Sequence, residues 1–332
     1  MRDIGIPPTS YLSYKDNAIS MLRFISMLMI IACHICQHYE IELAFWFNVG
    51  VQVFFMISGF LYGQKDINNP FAWFWKQFKK IAVQYYLFVM LITILLILFH
   101  RDVLNLYDLA TSILFIGTIK GFGYLWFVGY ILFCYLITPI LQYSCQTMMS
   151  VNRYKLLLLL LGIVCVYQLY ASLLNLYFMP ARVLCYVAGY IIGYAYYRKG
   201  LPVINRSTLL FLVLGISSNA LYIYLRYVLA RDISGLSILY SYSHLFLGGM
   251  IFLIGYKLFS HTRDNVLLAF SDHYSYAIYI VHGTFALSTF NVLDIQIPMP
   301  ARIILVFLLS ISFGIGLKMA EKIVLRIFSY AR

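Results

Sequence analysis

Met21-Leu22-Arg23-Phe24-Ile25-Ser26-Met27-Leu28-Met29-Ile30-Ile31-Ala32-Cys33-His34-Ile35-Cys36-Gln37-His38 is an apolar run with a single permanent charge, Arg23, near its start. A helix crosses about 30 Å of hydrocarbon in about 20 residues, at about 1.5 Å each. This stretch is long enough to do so. Comparable runs return near 43–62, 81–99, 124–143, 155–175, 182–197, 208–227, 238–258, 274–290 and 302–325. The run 109–119 is apolar but short, and reads as an interfacial or re-entrant helix within the 100–123 loop.

Composition supports the same reading. The 332 residues are 63% hydrophobic and 11% charged, with a mean hydropathy of +0.84. Soluble chains are about half apolar and about a quarter charged, so lipid is the solvent here. The expected fold is all-α: a polytopic integral membrane bundle of about ten transmembrane helices. The net charge of +12 does not indicate nucleic acid, because Lys and Arg sit in short loops between apolar runs rather than along one soluble face.

Those charges orient the bundle. With the N-terminus inside, all but six of the 24 Lys and Arg fall on the inner side. The six outside are Arg101, Lys120, Arg182, Arg226, Arg231 and Arg302. The bias predicts both termini in the cytoplasm and an even number of spans. Residues 1–20 read as a cytoplasmic stub, 21–326 as one transmembrane domain and 327–332 as a cytoplasmic tail. Pro7, Pro8, Asp3 and Asp16 exclude the apolar core of a cleavable signal peptide from the stub. The six cysteines lie in or beside apolar runs, where Cys behaves as a small hydrophobe. Gly189-x-x-x-Gly193 marks a place where two helices approach closely.

Ionisable side chains in hydrocarbon are costly and mark pathways or sites. Arg23 and His34 are eleven residues apart, close to three turns at about 100° per residue, so they share a face roughly 16 Å long. One stripe thus carries a cation suited to clamping phosphate and a base able to take a hydroxyl proton near neutral pH. On spacing alone, the pair also fits an ordinary inner-leaflet anchor and a packing histidine. His38 and Glu42 continue the stripe; with no third neutral ligand evident, no metal is expected. Ser58 is a hydroxyl in a bulky helix, suited to a donor group or to a bond back to the preceding turn. Lys76, Lys79 and Lys80 form a cationic cluster before the third span. His282 lies in the ninth run with no charged neighbour in that run.

In this order the pieces resemble the membrane acyltransferase family 3. The resemblance starts with Leu22-Arg23-Phe24 and His34, similar to the family's Arg, ten residues, His motif. It continues through Phe54-Phe55-Met56-Ile57-Ser58-Gly59-Phe60-Leu61, Tyr124-Leu125-Trp126-Phe127, Tyr135-Leu136-Ile137-Thr138-Pro139 and Tyr186-Val187-Ala188-Gly189-Tyr190. It closes with Phe270-Ser271, Ser275, Ile278-Tyr279 and His282. Where the family has an Arg-rich stretch before the third span, this chain has Lys76-Gln77-Phe78-Lys79-Lys80, which keeps the charge and loses the planar fork. Some relatives also carry a fused SGNH-type domain; with the sequence running only to Arg332, acylation is expected of the membrane domain itself or of a separate partner.

The resemblance implies an O-acetyltransferase of the inner (plasma) membrane that moves acetyl from acetyl-CoA to a glycan or lipid-linked sugar. His34, His282 and Ser58 would be catalytic, and Arg23, Lys79 and Lys80 would bind the acetyl-CoA. Membrane lipids are the other expected partners, with no nucleic acid. The rival class is a glycan flippase or secondary transporter, which would carry paired Gly/Pro-broken spans in two corresponding halves; the sequence has no such symmetry.

Overall fold

The computed structural model describes residues 16–148, 180–229 and 236–330. Eleven α-helices, with no strand, make up the architecture of these residues. The first, α1 (Asn17–His38), starts where the Asp16 carboxylate accepts from the backbone N–H of Ala18 and Ile19, satisfying two of the donors that a helix start leaves open. A short α2 (Leu43–Phe47) leads into α3 (Val49–Gly63). Asn69 caps α4 (Pro70–Phe99), with Pro at its first position, where a missing N–H costs nothing.

Next, α5 (Leu106–Ile113) is an eight-residue helix in the segment expected to be interfacial. The hydroxyls of Tyr85 and Tyr86 on α4 donate to its final carbonyls, Ser112 O and Ile113 O. Such closure is what an irregular turn beside lipid requires. The chain continues with α6 (Trp126–Met148), α7 (Pro180–Lys199), α8 (Arg206–Ile223), α9 (Leu236–Leu258), α10 (Val266–Ala286) and α11 (Met299–Tyr330).

Seven of the expected spans are long and apolar enough to cross a membrane by length and composition. α7 and α10 are helices of 20 and 21 residues that carry more polar side chains. The span expected at 155–175, with Cys165, lies outside the described residues. α10 begins at Val266, eight residues before the sequence-based start, because Asn265 caps it and the polar Ser271-Asp272-His273 stays helical. The chain is therefore an all-α, multi-pass membrane protein.

Bundle cohesion in lipid depends on close packing rather than on hiding apolar surface from water. The tightest contact is α3 against α7. A Cβ on Gly189 or Gly193 would lie 2.2 Å from Met56 O or Phe60 O, and one on Gly59 or Gly63 would lie 2.0 or 2.2 Å from Tyr186 O or Tyr190 O. The expected close approach at Gly189 and Gly193 is thus present, answered by a second small-residue pair on α3. Pro139 interrupts the α6 hydrogen-bond ladder. One residue earlier, Thr138 donates to Cys134 O and meets the Tyr186 hydroxyl at 2.7 Å, tying α6 to α7.

Candidate functional site

α1 and α10 run side by side in the same direction, and polar residues recur along their contact. Near the start of both helices, Arg23 forms an ion pair with Asp272 through one carboxylate oxygen. Ser20 donates to the other oxygen at 2.7 Å. Eleven residues on from Arg23 and ten on from Asp272, His34 and His282 stack with ring centroids 5.0 Å apart and planes 29° from parallel. Two turn-matched pairs thus lie roughly 15 Å apart along one seam. The shared face expected of Arg23 and His34 is the face that α10 covers.

His282 is fully buried. Its Nδ1 meets the Tyr279 carbonyl, which can only accept, so Nδ1 carries the proton. Nε2 then holds the lone pair, and it is sealed with no hydrogen-bond partner. His34 keeps partial exposure, and its Nδ1 lies 2.7 Å from Gln37 Oε1. With the Gln37 oxygen accepting, His34 likewise presents Nε2. Both imidazoles are therefore oriented by their own helices, each with one nitrogen left for chemistry.

Tyr124, in the 3₁₀ turn that opens α6, places its ring 5.4 Å from His282 and 6.1 Å from His34. Gly283 makes this possible, since a Cβ there would fall 2.3 Å from Tyr124 Cδ1. The Tyr124 hydroxyl lies 3.1 Å from Thr284 Oγ1. The Tyr279 hydroxyl donates to Tyr124 O at 2.7 Å. Two buried tyrosines and one glycine hold the histidine pair in place.

Ser58 lies half-buried on α3. Among the described residues, no hydrogen bond engages its hydroxyl or joins it to either histidine, so the back bond to the preceding turn is not made. Lys79 and Lys80 are exposed near the start of α4. The charge of Lys80 is felt together with those of Lys65, Lys76 and Lys318, so the cationic basin draws on α4, α11 and the turn after α3. Burial, and then the charge of Lys76, push the Lys65 ammonium below the ordinary lysine range. Beside it, Glu321 is buried between Lys318 at 2.6 Å and Gln84 at 2.8 Å. His38 turns away from the stripe to Asp294, 3.1 Å away, and Glu42 is exposed at the start of α2.

Sequence reasoning missed Asp272, Tyr124, Tyr279 and Arg182 as site residues. Asp272 had a usable signal: its ten-residue spacing to His282 repeats the Arg23 to His34 pattern. Arg182, one of the six charges expected on the outer side, has its guanidinium over the Trp126 ring at 3.6 Å.

A multi-pass bundle that places two oriented imidazoles beside one another, a few turns from a cationic basin, has the parts for proton transfer next to a bound anion. The acyltransferase domain family matches residues 16–319, and the chain belongs to this family, membrane acyltransferase family 3. Neither a curated protein nor a solved structure matches the chain.

Proposed function

We propose that this acyltransferase moves an acetyl group from cytoplasmic acetyl-CoA to a hydroxyl of a cell-surface or lipid-linked glycan, in the inner (plasma) membrane. The observation that carries the reading is the His34–His282 stack, held about three turns along the α1–α10 seam from Arg23 and the neighbouring lysines. In this reading the Arg23 end faces the cytoplasm. Lys79, Lys80 and Arg23 attract the phosphates of the donor, with Lys65 and Lys76 adding charge. Arg23 contributes as half of an ion pair, so the lysines carry more of this task than its motif suggests. The flexible arm between nucleotide and sulfur then runs along the seam and brings the thioester to the histidines.

His34 is the base, because it is the imidazole with access from outside its own packing. It takes the proton of the acceptor hydroxyl as that oxygen bonds to the thioester carbonyl carbon. The carbon–sulfur bond breaks, and the proton passes from His34 to the departing thiolate, giving the sugar ester and free CoA thiol. Ser58 donates its hydroxyl hydrogen to the oxygen that becomes negative during attack, and His282, stacked on His34, positions the reacting groups. Positioned acid–base groups contribute about 10²- to 10⁴-fold.

Purified full-length protein, given radiolabelled acetyl-CoA and glycan extracted from the cell surface, is expected to move label to the glycan as an alkali-labile ester. His34→Ala should lose that transfer by about 10²-fold or more at unchanged protein abundance. Label that stays on CoA with the wild-type protein would remove the reading, and wild-type transfer by His34→Ala would remove His34 from it.

A further inference from the structure

Arg182 is the third residue of α7. Its guanidinium carbon lies over the indole of Trp126, 3.6 Å from the ring centre. Tyr130, Tyr240 and Tyr279 stand within reach of its charge. Its Nε is sealed from solvent without an acceptor. Among the described residues, no carboxylate pairs with it. Three other cations have carboxylate partners, Arg23 in Asp272, Arg198 in Asp66 and Lys318 in Glu321, and Arg302 donates to Leu293 O.

Arg182 is half-buried, and sealing the Nε of a cation without an acceptor is costly, more so within a membrane. Stacking on Trp126 recovers part of that cost. It also fixes the plane of the guanidinium, so that the N–H edge remains for a ligand, in the fork geometry that suits two oxyanion oxygens. The neighbourhood is equipped for a polar guest. Tyr240 Oη accepts from Asn48 Nδ2 at 2.7 Å, which leaves its own proton to donate. Tyr279 connects this place to the histidines, its ring being 5.4 Å from that of His282.

We propose that Arg182 anchors an oxyanion carried by the acceptor, so the acceptor is an acidic glycan, bearing a carboxylate or phosphate close to the hydroxyl that is acylated. The inference deepens the proposed function and rests on it. The donor's phosphates are held at the Arg23 end, whereas Arg182 belongs to the opposite end, beside the imidazoles. An anion bound there orients the neighbouring hydroxyl toward His34 and supplies a counter-charge that no described carboxylate gives Arg182. Arg182 is a specificity-determining residue in this scheme, with Tyr240 as a second hydrogen-bond donor.

The test compares purified wild-type protein with Arg182→Gln and Arg182→Lys on three matched acceptors: a methyl hexoside, the corresponding methyl hexuronide and the hexose 1-phosphate. For the wild type, kcat/KM is expected to favour one or both acidic acceptors, and the member favoured identifies the oxyanion as carboxylate or phosphate. Loss of a charged hydrogen bond should collapse the acidic-to-neutral ratio roughly tenfold or more in Arg182→Gln, through KM of the acceptor. Arg182→Lys should retain part of the preference, since it keeps the charge and loses the fork. Equal use of the three acceptors by the wild type, or an equal fall on acidic and neutral acceptors in Arg182→Gln, overturns this inference and leaves the glycan reading standing. Transfer to none of the three, with label remaining on CoA, overturns both.

Discussion

A histidine whose Nδ1–H is spent on its own helix has one nitrogen left, and at His282 that nitrogen meets no protein partner. At the core residue His244 both ring nitrogens instead face backbone carbonyls, Tyr240 O and Phe45 O at 2.9 and 2.8 Å, and the single N–H of a neutral ring can donate to either one. The contrast between these two buried imidazoles separates a packing role from a chemical one. At the other end of the seam, the Arg23–Asp272 pair allows a direct check. Removing one partner of a largely buried pair strands the other charge, so Arg23→Ala and Asp272→Ala should each lower thermal stability in detergent. The double variant should recover part of the loss, with a coupling of about 1–3 kcal/mol. Strict additivity in the melting data would mean that the contact does not hold α1 to α10.

At the scale of elements, glycine backbones rather than apolar bulk set where helices lie. Gly59 and Gly63 on α3 interlock with Gly189 and Gly193 on α7, carbonyl oxygens occupying the space a methyl group would need. Gly189→Ala must therefore push the two helices apart, and membrane abundance and melting temperature should both fall. Gly316→Ala is the control: a Cβ there meets nothing within 4 Å, and alanine is the better helix former by about 1 kcal/mol. Equal behaviour of the two variants would argue against the interlock. The same logic places the site, since Gly283 admits the Tyr124 ring beside the histidines.

Across the whole molecule, polar residues sort by end. Arg23, Asp272, Lys65, Lys76, Lys80, Lys318 and Glu321 gather where α1 begins, whereas His34, His282, Tyr124, Arg182 and Tyr240 gather where it ends. Positive-inside bias assigns the first group to the cytoplasm. Reporter fusions in the turn after α3, at Lys65, and in the turn before α9 should then give opposite sidedness, cytoplasmic for the former and external for the latter. The reverse result would place the cationic basin on the outer side and count against the proposed cytoplasmic donor.

The sequence by itself determined that this chain lives in lipid, where most helices fall, and that Arg23 and His34 share a stripe. Each of these is a local sum: hydropathy over about 20 residues, capping residues such as Asp16 and Asn265, and rotation of about 100° per residue. The order of the motifs also made the family legible. Only the tertiary structure decided that His282 stacks on His34, that Asp272 claims Arg23, and that Arg182 packs over Trp126. Those pairings depend on which helices lie side by side and how each is turned about its axis. Contacts between residues more than a hundred positions apart, such as Gly59 on Tyr186, set that rotation, and no window of sequence contains both halves of them.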